Sequence, residues 1–197
     1  TYVLASDGDL QEPVALGTAS LAGHLGLSRL IVFYDANEAQ ISGPTNRSDS
    51  TDYKTVFEGF NWHVQEINGH SHDEIKTSIK SAQKENRPSI IIGNTIMAKG
   101  TASMEGDHNT HGAPLPQEEI DSSKQKLGLP NEKFYFPSKV KEHFQSRYSK
   151  LSSMVSAWND EKDQLESLQD TSSLISICIK NNLPNFEYPA FNSGESI

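Results

Sequence analysis

At 197 residues, with 35% apolar residues and a mean hydropathy of -0.58, the chain is long enough for one α/β domain with its own core, or for such a domain plus a helical extension. Its net charge of -9 excludes nucleic acid as a partner, because a phosphate backbone demands basic patches. No apolar run approaches the roughly 20 residues of a membrane helix, and no secretory or transit signature opens the chain. The single cysteine, Cys178, sits among Leu174, Ile175, Ile177 and Ile179 and reads as a buried, inert thiol in a reducing compartment, the cytoplasm. The start at Thr1, directly in a β-like run, reads as the start of a fragment.

Residues 1–5 are predicted to form a short buried strand, which Ser6-Asp7-Gly8-Asp9 breaks. Pro13 then suits a first helical turn, and Val14, Leu16, Ala19, Leu21, Ala22 and Leu25 continue a helix that Gly26 stops. Gly17, Ala19, Ala22 and Gly23 leave room on it for a close neighbour. Residues 30–34 are uniformly apolar, as in a parallel strand covered on both faces, so residues 1–34 form a β-α-β unit with a right-handed crossover. A polar loop (35–52), a short helix (53–60), a strand (62–67), a helix (73–85) and a strand (89–95) follow.

The next stretch, 97–117, is a loop of about twenty residues carrying His108 and His111; loops that long are usually functional or disordered. A helix is expected over 118–127. Beyond Pro130, residues 139–169 read as one or two long helices whose stripe from Val140 to Trp158 is core packing. Asn181-Asn182-Leu183-Pro184 ends another helix. The expected organisation is an open parallel α/β sheet with helices on both faces over 1–127, its N-terminal part missing, then a helical C-terminal extension over 128–184, then a linker over 185–197 to an absent domain.

Open parallel sheets bind ligands just past the carboxyl ends of their strands. Three features fall there: Asp7-Gly8, Asp35-Ala36-Asn37, and Met97-Ala98-Lys99-Gly100 leading to His111. Gly8 lets the backbone approach an anion, and the amides opening the next helix carry partial positive charge. Asp7 and Asp9 would repel bare phosphate but not phosphate with Mg²⁺ between. Asp7 is therefore a candidate metal ligand, with Asn37 as a neutral oxygen donor, in the octahedral oxygen shell that Mg²⁺ prefers.

Alone, Asp7 could be a helix cap, Asn37 a turn residue and His111 a loop histidine. His108 and His111 have no cysteine or further histidine cluster to suggest zinc. No Gly-x-Gly-x-x-Gly follows the first strand, which disfavours a nucleotide-binding Rossmann protein.

An acidic Asp-Gly turn followed about thirty residues later by Asn resembles the thiamine-diphosphate motif, here Ser6-Asp7-Gly8-Asp9 to Tyr34-Asp35-Ala36-Asn37. With Leu21-Ala22-Gly23, Gly59-Phe60-Asn61-Trp62-His63-Val64, Asn68-Gly69-His70, Arg87-Pro88-Ser89, Thr95-Ile96-Met97 and His111-Gly112-Ala113-Pro114-Leu115 in the family's order, the chain resembles the diphosphate- and metal-binding segment of transketolases.

The resemblance implies thiamine diphosphate and Mg²⁺ (or Ca²⁺) as cofactors, with Asp7, Asn37 and the Ala39 carbonyl as metal ligands. It implies Gly8 at the diphosphate, Ile41 and Met97 around the thiazolium, and Glu12 at a subunit interface, linked to the glutamate that activates the cofactor. His111 would stand beside the diphosphate and the sugar entrance, as a cofactor-binding and catalytic residue. The implied activity is transfer of a two-carbon ketol unit from a ketose phosphate to an aldose phosphate, in a homodimer or with a pyrimidine-binding domain absent from this chain. A dihydroxyacetone-synthase-like relative, or an inactive cofactor-binding fragment, are the other readings.

Four positions depart from the pattern: Ser6 and Ala36 replace a usual Gly and Asp, Pro13 a Gly, and Ala39 an Ile. Ser6 is tolerable only if that position does not need a positive φ.

Overall fold

The structure is a computed structural model and describes residues 1–41 and 43–167. Cys178, the helix end at 181–184 and the linker at 185–197 lie outside the described residues. The chain divides into two units, Thr1–Lys133 and Phe134–Ile197.

In the first unit, β1 (Tyr2–Ser6), β2 (Ile31–Ala36), β5 (His63–Asn68) and β6 (Ser89–Asn94) form one parallel sheet in the order β1-β2-β6-β5. Side chains alternate across it. On one face Val32, Tyr34, Ile90 and Ile92 meet Ala19 and Ala22 of α2 (Pro13–His24) and Tyr53 and Phe57 of α3 (Tyr53–Gly59). On the other, Ile31 and Ile91 meet Ala82 and Ile79 of α4 (His72–Ala82). The expected α/β sheet with helices on both faces is the observed one.

Small residues set the close approach of α2. A Cβ added at Gly23 would lie 1.8 Å from the Phe60 carbonyl oxygen. Nearby, the Trp62 indole donates to the Ala19 carbonyl at 2.8 Å. Gly17 meets nothing, so of the four small residues it makes no close contact. Gly26, at φ 61, ends the helix in the left-handed conformation that glycine adopts most easily.

In this unit three expectations are corrected. First, β1 is not buried among the described residues, where it lies at the sheet edge with Leu4 85% exposed. Second, Ser6-Asp7-Gly8-Asp9 ends the strand as expected but also opens an unexpected short helix, α1 (Asp7–Gln11). Asp9 reaches back, and its Oδ2 accepts from the Ser6 amide at 2.8 Å and the Ser6 hydroxyl at 2.7 Å. These bonds hold the Asp9 carboxyl below its usual range. Glu12 then turns extended ahead of Pro13, whose ring disfavours helical backbone before it. Third, the polar loop after β2 contains a two-stranded antiparallel pair, β3 (Ala39–Gln40) with β4 (Gly43–Pro44).

The long loop after β6 is ordered. Lys99 and Lys126 both meet Glu105, Glu119 accepts from Ser103, and the Lys126 ammonium donates to the Thr101 carbonyl at 2.7 Å. Lys126 and Glu119 belong to α5 (Gln117–Lys126).

In the second unit, α6 (Ser138–Gln145) and α7 (Tyr148–Ser167) match the expected helices. Their stripe is not core: Phe144, Met154, Val155 and Trp158 are each more than half exposed. Helical spacing marks a face without saying what covers it. Among the described residues no helix is long and apolar enough to cross a membrane.

Candidate functional site

The register brings three loop starts together. Ser6 pairs with Asp35 and Ala36 with Asn94, so Asp7, Asn37 and Thr95 each begin the segment beyond one of three neighbouring strands.

Asp7 is 3% exposed. Its Oδ1 accepts from the Tyr34 hydroxyl at 2.8 Å, inside the protein. Burial, then this bond, push the Tyr34 phenol well above its usual range, so it stays a donor. Asp7 Oδ2 is buried with no hydrogen-bond partner. A carboxylate oxygen taken from water without compensation is expensive, and a bound cation is one way to offset it.

The Asn37 side chain is held at both ends. Its nitrogen donates to Asp35 Oδ2 at 3.2 Å, and its Oδ1 accepts from the Ala39 amide at 2.9 Å. Asp35 is itself fixed by the Thr95 hydroxyl, which donates to Oδ1. Between Asn37 and Ala39, Glu38 takes φ 59, the left-handed conformation. Ser6, by contrast, is extended at φ -120, so the absence of glycine there strains nothing.

A groove of about 320 Å³ runs past the junction, lined by Ser6, Gly8, Glu12, Ala39, Ile41 and His111, with Asp9 and Gln40. It thus gathers five of the expected site residues: Gly8, Glu12, Ala39, Ile41 and His111. A Cβ at Gly8 would meet nothing within 4 Å, so packing within the chain does not require glycine there. Ile41 is 88% exposed. His111 Nδ1 is buried without a partner, like Asp7 Oδ2, Gln11 Nε2 and Thr45 Oγ1. Asp7 lines a different cavity of about 320 Å³, with Tyr34, Asp49 and Tyr53. Asn37 and Met97 line neither.

Lys99 is paired with Glu105 at 3.1 Å. Among the described residues there is no group of three His, Cys, Asp or Glu able to hold a metal; one carboxylate, one amide oxygen and one backbone carbonyl do not form such a group. Sequence reasoning missed Tyr34 and Thr95. A tyrosine beside aliphatic residues and Phe33 in a mostly buried strand was the available signal, because its hydroxyl needs a partner.

The family model for "Transketolase, thiamine diphosphate binding domain" matches residues 1–184. The chain is 39% identical over 72% of its length to the Sinorhizobium medicae transketolase, covering 20% of that protein. It is 36% identical over its whole length to the Staphylococcus epidermidis transketolase, covering 31%. Its fold superposes on the Campylobacter jejuni transketolase with a TM-score of 0.80 at 32% identity, over 98% of this chain and 30% of that one. A Pichia stipitis transketolase variant in complex with fructose 6-phosphate gives a TM-score of 0.80 at 30% identity, over 93% of this chain and 28% of that one. The chain thus spans between a fifth and a third of the length of these relatives.

Proposed function

The chain belongs to the transketolase family, within its thiamine-diphosphate-binding domain, and on that premise we propose that it holds the diphosphate and divalent cation of thiamine diphosphate in an enzyme that moves a two-carbon ketol unit from a ketose phosphate to an aldose phosphate. The observation that carries the reading is Asp7 Oδ2, a buried carboxylate oxygen with no partner at the ligand-binding end of the sheet. His111 Nδ1, buried without a partner, and the open space at Gly8 also suit a diphosphate.

In this reading Asp7, the Asn37 oxygen and the Ala39 carbonyl hold Mg²⁺, or Ca²⁺ in its place. Gly8 lets the diphosphate come close. Ile41 and Met97 supply apolar contact, and Glu12 faces the partner subunit of a homodimer or a pyrimidine-binding domain. When bound, the cofactor supplies the electron sink for carbon–carbon cleavage. The protein's part is binding, orientation and proton placement. His111 hydrogen-bonds the diphosphate and serves proton transfer at the sugar entrance. The matching domain division is a cofactor-holding part over 1–127, a helical extension over 128–184 and a linker over 185–197, in a cytoplasmic enzyme.

The short share of each relative's length favours one further reading, that the isolated chain does not turn over. The test is ketol transfer from xylulose 5-phosphate to ribose 5-phosphate by the full-length polypeptide, starting from apo protein. Transfer that needs both thiamine diphosphate and Mg²⁺, and disappears in Asp7→Ala, is the expected result. Tight, cation-dependent cofactor binding without transfer would move the function to a dihydroxyacetone-synthase-like relative. Turnover by the isolated chain would overturn the second reading.

A further inference from the structure

We propose that Tyr34 is a positioning residue: it takes up Asp7 Oδ1 so that only Oδ2 is left for the divalent cation, and thereby favours Mg²⁺ over Ca²⁺. The inference rests on the reading of Asp7 as a cation ligand.

The two partners differ in how firmly they are held. Asp7 begins α1, a helix of five residues that is marginal by itself. The terminal torsion of an aspartate is broad and nearly two-fold, so the backbone alone does not decide which oxygen faces a ligand. Tyr34 is anchored far better. It lies in β2 between two parallel neighbours, opposite Ala5 and Ile92, and is 5% exposed. Its ring meets Tyr53 edge-on at 5.7 Å. Tyr53 in turn donates to Asp49 Oδ2 at 2.6 Å, and Asp49 Oδ1 accepts from the Thr51 amide and hydroxyl. The hydroxyl that reaches Asp7 at 2.8 Å therefore comes from a fixed point, and it makes the two carboxylate oxygens unequal.

The consequence for the cation follows from coordination chemistry. Mg²⁺ demands near-octahedral geometry and is satisfied by single carboxylate oxygens, whereas Ca²⁺ accepts bidentate carboxylates. A carboxylate with one oxygen already engaged offers the first mode and resists the second. Removing the Tyr34 hydroxyl frees Oδ1 and lets Asp7 bind through both oxygens.

The experiment uses the full-length polypeptide stripped of cations. Thiamine diphosphate binding is followed by fluorescence quenching at increasing Mg²⁺ or Ca²⁺, for wild type, Tyr34→Phe and Asp7→Asn. Tyr34→Phe is expected to raise the Mg²⁺ requirement about tenfold, in the range seen when a group orienting a metal ligand is lost. The Ca²⁺ requirement should rise less, so the ratio of the two shifts toward Ca²⁺. Equal changes for both ions, or none, overturn the proposal, because a merely structural loss does not discriminate between ions.

Asp7→Asn separates this failure from failure of the site reading. If it leaves both requirements unchanged, Asp7 is not a ligand and the underlying reading falls. If it abolishes cation-dependent binding while Tyr34→Phe is neutral, only the proposal falls. Should Tyr34→Phe not fold, the wild-type ultraviolet difference spectrum on adding Mg²⁺ decides. A tyrosine band absent from Asp7→Asn supports the proposal, and a spectrum flat in the tyrosine region overturns it.

Discussion

The side-chain nitrogen of Asn37 donates to Asp35 Oδ2 at 3.2 Å, so the orientation of this amide is fixed from within its own strand end. Because Asp35 can accept but not donate when ionised, it binds the nitrogen and leaves the oxygen turned away. Asp35→Ala should therefore raise the cation concentration needed for thiamine diphosphate binding about tenfold. Thr95→Val, which removes the hydroxyl that holds Asp35, should act in the same direction and more weakly. Cofactor-binding titrations at varied Mg²⁺ check both, and an Asp35→Ala protein with the wild-type requirement would show that Asn37 needs no such clamp.

Gly23 and Gly17 lie on the same helix and should respond oppositely to alanine. At Gly23 a Cβ would overlap the Phe60 carbonyl oxygen, a backbone atom that cannot swing aside, so Gly23→Ala should destabilise by about 3 kcal/mol. At Gly17 the same methyl meets nothing, and the gain in helix propensity should stabilise by about 0.5–1 kcal/mol. Urea unfolding of the two variants checks both signs, and equal effects would mean that α2 does not pack as described.

The pattern of apolar runs was enough to read β1, β2 and β6, and Pro13 and Gly26 marked the ends of α2 within a residue. What escaped has physical reasons. Helix α1 is held by a side chain reaching back from Asp9 to Ser6, a contact that leaves no periodicity in five residues. Strands β3 and β4, two residues each, are too short to show alternation. An apolar strand does not announce whether it has a neighbour on both sides, which is why β1 was read as buried. At the site, spacing brought out Asp7 and Asn37. The unpartnered oxygen of Asp7 and the roles of Tyr34 and Thr95 depend on three strands lying side by side. No single stretch of sequence contains that arrangement.

The loop leading to His111 should loosen in acid. Lys99, the Gly100 amide and Lys126 pull the Glu105 carboxyl from its ordinary 4.5 down to about 2. A carboxyl lowered in the folded state contributes above its unfolded value and is lost as pH falls through the folded one. Protection of the Gly100 amide against hydrogen exchange, given by its 3.0 Å bond to Glu105, should decline between pH 4.5 and about 2. Glu105→Gln should remove that pH dependence and weaken the loop at neutral pH. Both ion pairs are exposed, so salt should blunt the effect. Unchanged protection across that window would mean that Glu105 does not hold the loop.

Asp7→Asn should stabilise the cation-free protein while destroying its response to the cation. In the folded chain Asp7 is 3% exposed, and only one of its oxygens has a partner. Replacing a buried charge by a neutral amide removes most of the desolvation penalty, and the amide oxygen can still accept from Tyr34. The new amide nitrogen would lack a partner, which offsets part of the gain, so the net effect should be about 1 kcal/mol. Such a trade is expected where a site is built for a ligand rather than for the fold. Thermal melts of the full-length protein with and without Mg²⁺ plus thiamine diphosphate provide the check. Wild type should gain stability on adding both, and Asp7→Asn should start higher and gain nothing. If Asp7→Asn melts lower than wild type without cation, Asp7 contributes to the fold rather than holding an unsatisfied charge in readiness for the cation.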